Sequence, residues 1–254
     1  MATLKNLIRR VSDMNKRNSF QKTIDRGSLY FVNAHPDDIN AGLGLALILT
    51  EIDHYRIHLV DFTRGERGLI EQGVSEAECA AIRTKEEEAV CRELGITSVF
   101  LHETDGNAYA CRETCMELAE YFKVSPPRAI ITHWPLDIHQ DHVMCAAAVM
   151  KAVKLAQTAP ELYFYRQSHQ TLNMPDDYYI PFGEKIMQKK CELLKLYKCQ
   201  QGDQIAMRQQ RDNATYGCRN RVPYAECFAS CQRRLPGQSG FFEELALYRQ
   251  QSGI

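Results

Sequence analysis

The chain has almost no net charge, no long apolar run and none of the short nucleotide-binding or serine-hydrolase signatures, and each gap removes a class of function. Thirty-one Lys and Arg against 32 Asp and Glu leave a formal net charge of -1, so no broad electrostatic footprint for nucleic acid or an acidic membrane is expected. Local basic stretches such as Lys5 to Arg10 and Lys16 to Arg26 read as solvated charge near a terminus. No segment approaches the length of a membrane span, and the start at Met1 to Leu7 never reaches the apolar run of a secretory signal. A cytoplasmic protein without a membrane span is the expectation. The loop Thr63-Arg64-Gly65-Glu66-Arg67-Gly68 lacks both the Walker Lys-Ser/Thr and the dinucleotide glycine spacing. With no GxSxG elbow either, a serine hydrolase is disfavoured. There is no internal repeat and no low-complexity tract.

Ten cysteines are present, yet none forms a CxxC pair. Cys79, Cys91, Cys145 and Cys191 fall in helix-like segments, as small apolar residues do. Cys111 with Cys115, and Cys227 with Cys231, stand at one-turn helical spacing. They read as reduced thiols of a cytosolic protein in preference to a structural zinc site.

What is present is an alternation of strand-like and helix-like segments. Strands are expected at Ser28 to Ala34, Tyr55 to Phe62, Ser98 to Leu101, Arg128 to Thr132 and Glu161 to Tyr165. Between them, helices are expected at Ala41 to Thr50, at Ser75 to Leu94 with Ser75 as N-cap and Gly95 as stop, at Glu113 to Phe122, and at His142 to Gln157. This rhythm in 254 residues predicts a single α/β domain over 1–254, a mostly parallel sheet with helices on both faces. Residues 1–27 are expected to be an N-terminal extension or helix. The part from about 174 to 254 is expected to be less regular, apart from a Lys-rich amphipathic helix near Glu184 to Lys198.

Two His/Asp clusters about a hundred residues apart carry the chemistry: His35-Pro36-Asp37-Asp38 and His139-Gln140-Asp141-His142. Each follows a strand-like run, so both should emerge in the crevice outside the carboxyl ends of a parallel sheet. His35, Asp38 and His142 then suit a divalent cation. Zinc leads, because a catalytic zinc takes three N/O ligands and keeps one position open. Asp37, left free beside such a cation, suits a general base. His139 and His142 stand one helical turn apart, so one can bind the metal while the other faces substrate, donates to a developing oxyanion and protonates the leaving group. Asp141 can orient an imidazole. Each cluster, taken singly, is also an ordinary helix N-terminus with Asp as cap. Asp105-Gly106-Asn107 reads as a turn.

The chain resembles the LmbE-like (PIG-L) deacetylases, zinc enzymes that remove acetyl from N-acetylglucosamine-containing substrates. The resemblance rests on Ala34-His35-Pro36-Asp37-Asp38 followed by Gly42 and Gly44, and on the Thr63 to Gly68 loop. It continues through Arg83-x-x-Glu86 leading to Leu94-Gly95-Ile96, and Thr132-His133-Trp134-Pro135 ahead of His139-x-Asp141-His142. It spans about Leu29 to Met150, with an echo at Tyr224 to Phe228. The resemblance implies a Rossmann-like α/β sandwich with His35, Asp38 and His142 as zinc ligands and Asp37 as general base. It further implies His139 as stabiliser of the tetrahedral intermediate and general acid, and Asp141 in support of the neighbouring histidines. Arg83 and Asp105 fall where family members contact the sugar. Family members usually continue the first motif with Glu, whereas this chain has Ile39-Asn40.

The expected function is zinc-dependent removal of N-acetyl from an amino sugar or its glycoconjugate. Iron(II) is accepted by the same ligands, and the resemblance is compatible with a homo-oligomer. Two other readings stay open: a metal-dependent hydrolase of a non-sugar N-acyl compound, and a non-catalytic α/β binding module.

Overall fold

The computed structural model describes residues 27–51, 55–167, 170–230 and 239–252. The expectation for residues 1–26 therefore lies outside the described residues, as does Cys231. Among the described residues seven strands form one sheet: β1 (Ser28–Asn33), β2 (Arg56–Asp61), β3 (Ser98–Phe100), β4 (Pro127–His133), β5 (Glu161–Tyr165), β6 (Tyr178–Phe182) and β7 (Tyr224–Ser230). Their spatial order is β3-β2-β1-β4-β5-β7-β6. β1 to β5 pair in parallel, while β7 runs antiparallel between β5 and β6. The helices are α1 (Leu43–Glu51), α2 (Glu76–Leu94), α3 (Arg112–Val124), α4 (Gln140–Ala156), α5 (Glu184–Leu194), α6 (Gly202–Asn220) and α7 (Phe241–Ser252).

Alternation along β1 explains why both faces of the sheet are covered. Leu29 and Phe31 enter one apolar core with residues of α1, α2, α5, α6 and α7, while Tyr30 and Val32 enter a second with residues of α3 and α4. All four side chains are fully buried, as expected for a central strand of a parallel sheet. α2 begins and ends where its caps stand: Ser75 Oγ accepts from the N–H of Glu78, and Gly95 is left-handed at φ 70°.

The described residues after 174 form regular elements, where the sequence suggested a less regular part. They hold β6, α5, α6, β7 and α7. The 19-residue α6 escapes periodicity because its buried face is Ile205, Ala206, Gln209, Asn213 and Gly217, two of them amides. A stripe with so few apolar members has little helical signal. α5 ends at Leu194, and its expected last turn is replaced by a separate 3-10 turn, Lys198–Gln200.

The topology fixes the location of the chemistry. Strand order reverses between β1 and β4, which are neighbours in space but not in sequence. A doubly wound sheet opens a crevice at such a switch point. The chain leaving β1 is His35 to Asp38, and the chain leaving β4 leads to His139 to His142.

Candidate metal centre and active site

β1 ends at Asn33 and the chain turns through Pro36 into a 3-10 turn at Asp38–Ala41. Asp37 sits in that turn at φ 88°, a left-handed conformation that costs a residue with a side chain about 1 kcal/mol or more. Three contacts hold it there: its N–H donates to Glu87 Oε2 at 3.1 Å, its Oδ1 takes Arg83 Nη2 at 2.7 Å, and its carbonyl accepts from Asn40 Nδ2 at 2.8 Å. The turn sends Asp38 inward, where its Oδ2 accepts the His35 N–H at 2.8 Å.

The second cluster is built by the end of β4 and the start of α4. His139 is the N-cap of α4, and its Nδ1 accepts the Asp141 N–H at 3.3 Å. Asp137, in the loop before it, accepts the His139 N–H at 2.8 Å and lies 3.2 Å from His142 Nδ1. The same carboxylate takes the Thr171 hydroxyl at 2.9 Å, so the loop is anchored to a neighbouring one while it orients His142.

Across the switch point the clusters meet. His142 Nε2 lies 3.6 Å from Asp38 Oδ1, and His35 Nδ1 lies 3.2 Å from Asp38 Oδ2. One ligand atom each of His35, Asp38 and His142 fall within 4.8 Å of one another. Ligands at zinc bond lengths stand about 3.4 Å apart in a tetrahedron, so this donor set of two imidazoles and one carboxylate fits a divalent cation. The second face of His35 is held: its Nε2 lies 3.1 Å from Asp141 Oδ2 and 3.2 Å from Asp105 Oδ1. Asp141 is itself fixed by the N–H groups of Gly106 at 2.6 Å and Ala108 at 3.1 Å.

Burial and charge set the protonation of these groups. Burial raises Asp37 to about 6, against the opposing pull of Arg83. Burial alone would also raise Asp38, but the charges of His142 and His133, with His35, outweigh it and hold its carboxyl well below the usual range. For His35 burial favours the neutral ring, yet Asp105, Asp141 and Asp38 together lift its pKa well above the usual value. Burial, reinforced by His35 and His142, lowers His139. Its ring is therefore neutral at pH 7, and since Nδ1 accepts a backbone N–H, the ring proton sits on Nε2.

The Gly-bearing loop packs against this centre through Arg83. A Cβ on Gly65, whose φ is 63°, would lie 2.4 Å from the Arg83 guanidinium, and one on Gly68 would lie 2.6 Å from it. The glycines leave room for Arg83, which donates to the Gly65 carbonyl at 3.2 Å. Glu66 and the Arg67 N–H fix Asp105 from the same loop.

The structure thus gathers His35, Asp37, Asp38, Arg83, Asp105, His139 and His142 around one cavity of about 460 Å³. Asp141 stands behind His35 with a fully buried side chain. Asp141 reaches His35 of the other cluster through its carboxylate, and its own neighbour His139 only through its backbone N–H. Arg83 is 4% exposed and donates to the Asp37 carboxylate and to the carbonyls of Pro36 and Gly65, while it also lines the cavity.

Two residues at the centre carried no role in the sequence reading. His133 stacks on His142 at 4.0 Å, and its Nε2 lies 3.2 Å from Asp38 Oδ2; burial drives its pKa down to about 4. Asp137 supports His142. The signal for His133 was its place in Thr132-His133-Trp134-Pro135, whereas nothing in sequence distinguishes Asp137 from a loop carboxylate. Among the described residues the clusters with metal-ligand geometry contain no cysteine. Cys111 accepts from the Thr114 N–H as a helix cap, and buried Cys115 donates to the Ala110 carbonyl. No described helix is long and apolar enough to cross a membrane.

Comparison with known proteins gives the same region a family. Residues 30–153 match the family described as PIG-L: GlcNAc-PI de-N-acetylase. Among solved structures, the chain is similar to the N,N'-diacetylchitobiose deacetylase of Pyrococcus horikoshii, with 22% identity and a TM-score of 0.70 over 96% of this chain and 97% of that one. It is also similar to the 4-carboxy-2-hydroxymuconate hydratase of Pseudomonas putida KT2440, with 20% identity and a TM-score of 0.73 over 84% and 100%. A deacetylase of the teicoplanin biosynthesis pathway follows at 13% identity and 0.65 over 79% and 96%. At these identities the likeness is one of fold.

Proposed function

We infer, from the premise that residues 30–153 of this chain are a PIG-L (LmbE-like) domain, that the protein is a zinc-dependent hydrolase. Its proposed reaction removes the N-acetyl group from an N-acetylglucosamine-type sugar or glycoconjugate. The observation that carries this reading is the placement of Asp37. A carboxylate with its pKa raised to about 6 lines the same cavity as the His35, Asp38 and His142 cluster.

His35, Asp38 and His142 would hold the cation, which when bound polarises an amide carbonyl and lowers the pKa of water. Asp37 takes the proton from the attacking water, a role for which a pKa near the working pH is best suited. His139, with its proton on Nε2, donates to the oxygen of the tetrahedral intermediate. The C–N bond then breaks, and the proton gained by Asp37 returns to the departing amine through the site, giving acetate and a free amine. Asp141 and Asp137 keep the imidazoles of His35 and His142 from turning. Arg83 holds Asp37, and Asp105 lines the cavity beside His35. Arg67, Gln170, Gln200 and Arg208 also line the cavity, a polar wall suited to a hydroxyl-rich substrate. The chitobiose and teicoplanin-pathway deacetylases of the same fold support amide hydrolysis.

A second reading draws on the hydratase of the same fold. Addition of water across a double bond needs the same base and cation but no protonated amine. The deciding experiment is an amine-release assay with fluorescamine across N-acetyl sugars, their conjugates and N-acyl amino acids, alongside metal analysis of the purified protein. Amine released from the sugars, with about one zinc per chain, supports the proposal. Release only from N-acyl amino acids moves the substrate class, and no release from any amide rejects the hydrolase.

A further inference from the structure

A buried polar chain runs from the back of the fold to the Asp37–Asp38 turn, and the chemistry above assigns it no task. Lys190 of α5 is fully buried. Its Nζ donates to Glu226 Oε1 at 2.7 Å, Gln209 Oε1 at 2.9 Å and Asn213 Oδ1 at 2.9 Å, which uses all three protons of the ammonium. An ammonium can only donate, so Gln209 must turn its oxygen to Lys190 and its NH2 the other way. On that side Gln209 Nε2 donates to Asn40 Oδ1 at 2.8 Å. Asn40 is left with its NH2 for the Asp37 carbonyl at 2.8 Å and Gln167 Oε1 at 3.2 Å. Gln167 Nε2 ends the run on the Asp38 carbonyl at 2.6 Å. One cation thereby sets the direction of three amides in succession, and the last two grip consecutive peptide carbonyls.

Glu226 ties the network to the helix that follows the turn. Its Oε1 accepts the Gly44 N–H at 2.7 Å and its Oε2 the Leu45 N–H at 2.8 Å, at the start of α1. A Cβ on Gly44 would lie 2.9 Å from that carboxylate, so glycine is required for the approach. The turn is held on both sides, which matters because Asp37 is strained at φ 88° and a strained residue persists only where its surroundings over-determine it.

We propose that Lys190 is a positioning residue for the general base: through Gln209 and Asn40 it fixes the Asp37–Asp38 backbone, and so the placement of the Asp37 carboxylate against the cation cluster. The inference rests on the hydrolase reading for its catalytic meaning, but the placement can be measured without turnover.

Gln209→Glu is the discriminating variant. It is nearly isosteric and still accepts from Lys190, yet it cannot donate to Asn40, whose amide must then turn and set its oxygen against the Asp37 carbonyl. In the full-length, zinc-loaded protein, hydrogen exchange of the 36–42 segment, read by mass spectrometry, is expected to speed up about tenfold. On the best amide substrate kcat should fall about tenfold or more while KM stays within about twofold. Lys190→Met removes the source of the polarity and should act in the same way; if it does not fold, Gln209→Glu decides alone. Unchanged exchange at 36–42 together with an unchanged kcat overturns the proposal, even if the melting temperature drops. Faster exchange spread over the whole chain overturns it too, since that is a purely structural role. If the parent protein releases amine from no amide, the hydrolase reading falls, and the exchange result by itself upholds or rejects the positioning.

Discussion

Asp37 Oδ1 stands 2.7 Å from Arg83 Nη2, and the guanidinium that makes this pair also donates to the carbonyls of Pro36 and Gly65. The arrangement binds Asp37, the proposed base, to the turn that carries it and to the glycine loop opposite. It also tunes the base, because burial lifts Asp37 while the Arg83 charge pulls it back to about 6. A carboxylate at that value is ionised at neutral pH and is still basic enough to take a proton from an activated water.

The pH profile should therefore have an acid limb that belongs to Asp37, at about 6 or below it, because a bound cation favours the ionised carboxylate further. Activity needs the ionised carboxylate, so kcat/KM is expected to fall as pH drops through that value. Arg83→Gln removes the charge that lowers the Asp37 pKa, and the limb should move to higher pH, by about one unit or more. A limb that stays in place in Arg83→Gln, measured over a full pH series, would show that Asp37 is not the group being titrated.

The roles of the two clusters separate when metal content and turnover are read together. His35→Ala and His142→Ala should lose both bound zinc and activity, because each removes one of the three proposed ligands. Asp37→Ala should keep zinc while turnover falls by about a hundredfold or more. Asp141→Asn keeps the size but removes the charge facing His35 Nε2, and should weaken zinc binding by about tenfold to a hundredfold. Zinc retention after competition with a chromophoric chelator distinguishes the three classes. Equal retention in His142→Ala and the parent would remove His142 from the ligand set.

How much of this was legible beforehand depends on the range over which each signal acts. The convergence of His35, Asp38 and His142 could be read because a strand, a turn residue and a helix start place them locally, and topology then brings two local signals together. The Asp141–His35 contact spans 106 positions, and no spacing rule reaches that far; the expected support of its neighbours is what adjacency alone suggests. Lys190 was invisible for a different reason, and Glu226 stood out only as part of the Tyr224 to Phe228 echo, with no role attached. A buried Lys reads in sequence as a solvated helix residue, and only the three acceptors around its ammonium reveal otherwise. The same polar burial hid α6, whose inward face carries Gln209 and Asn213.

Gly65 offers a test of the link between the loop and Asp37 that removes no functional group. Its φ of 63° and the 2.4 Å separation between a built Cβ and the guanidinium carbon of Arg83 leave no room for a methyl group. Gly65→Ala is expected to cost about 1 kcal/mol from the left-handed backbone alone, and to displace Arg83 from Asp37. Its acid limb should then shift upward as in Arg83→Gln, with a smaller drop in melting temperature than a core truncation gives. A melting temperature loss with an unmoved limb would detach the loop from the tuning of Asp37.

His58 gives a stability prediction away from the cation cluster. It is 1% exposed on β2, stacked on Tyr30 at 4.5 Å, and burial together with the nearby Arg56 lowers its pKa from 6.5 to about 4. The folded protein therefore keeps this ring neutral while the unfolded chain protonates it below about 6.5. The unfolded state binds more protons between the two values, so stability falls as pH drops through that window and levels off below about 4. Between about pH 7 and about pH 5 the single group should remove about 2 kcal/mol. Urea denaturation of the chelator-treated protein at the two pH values measures the difference. In His58→Phe, which keeps the ring stack but cannot titrate, the pH-dependent part of the midpoint shift should shrink by that amount, even if overpacking lowers stability at both pH values. An undiminished difference would mean that His58 is already protonated in the folded protein, contrary to its burial beneath Tyr30.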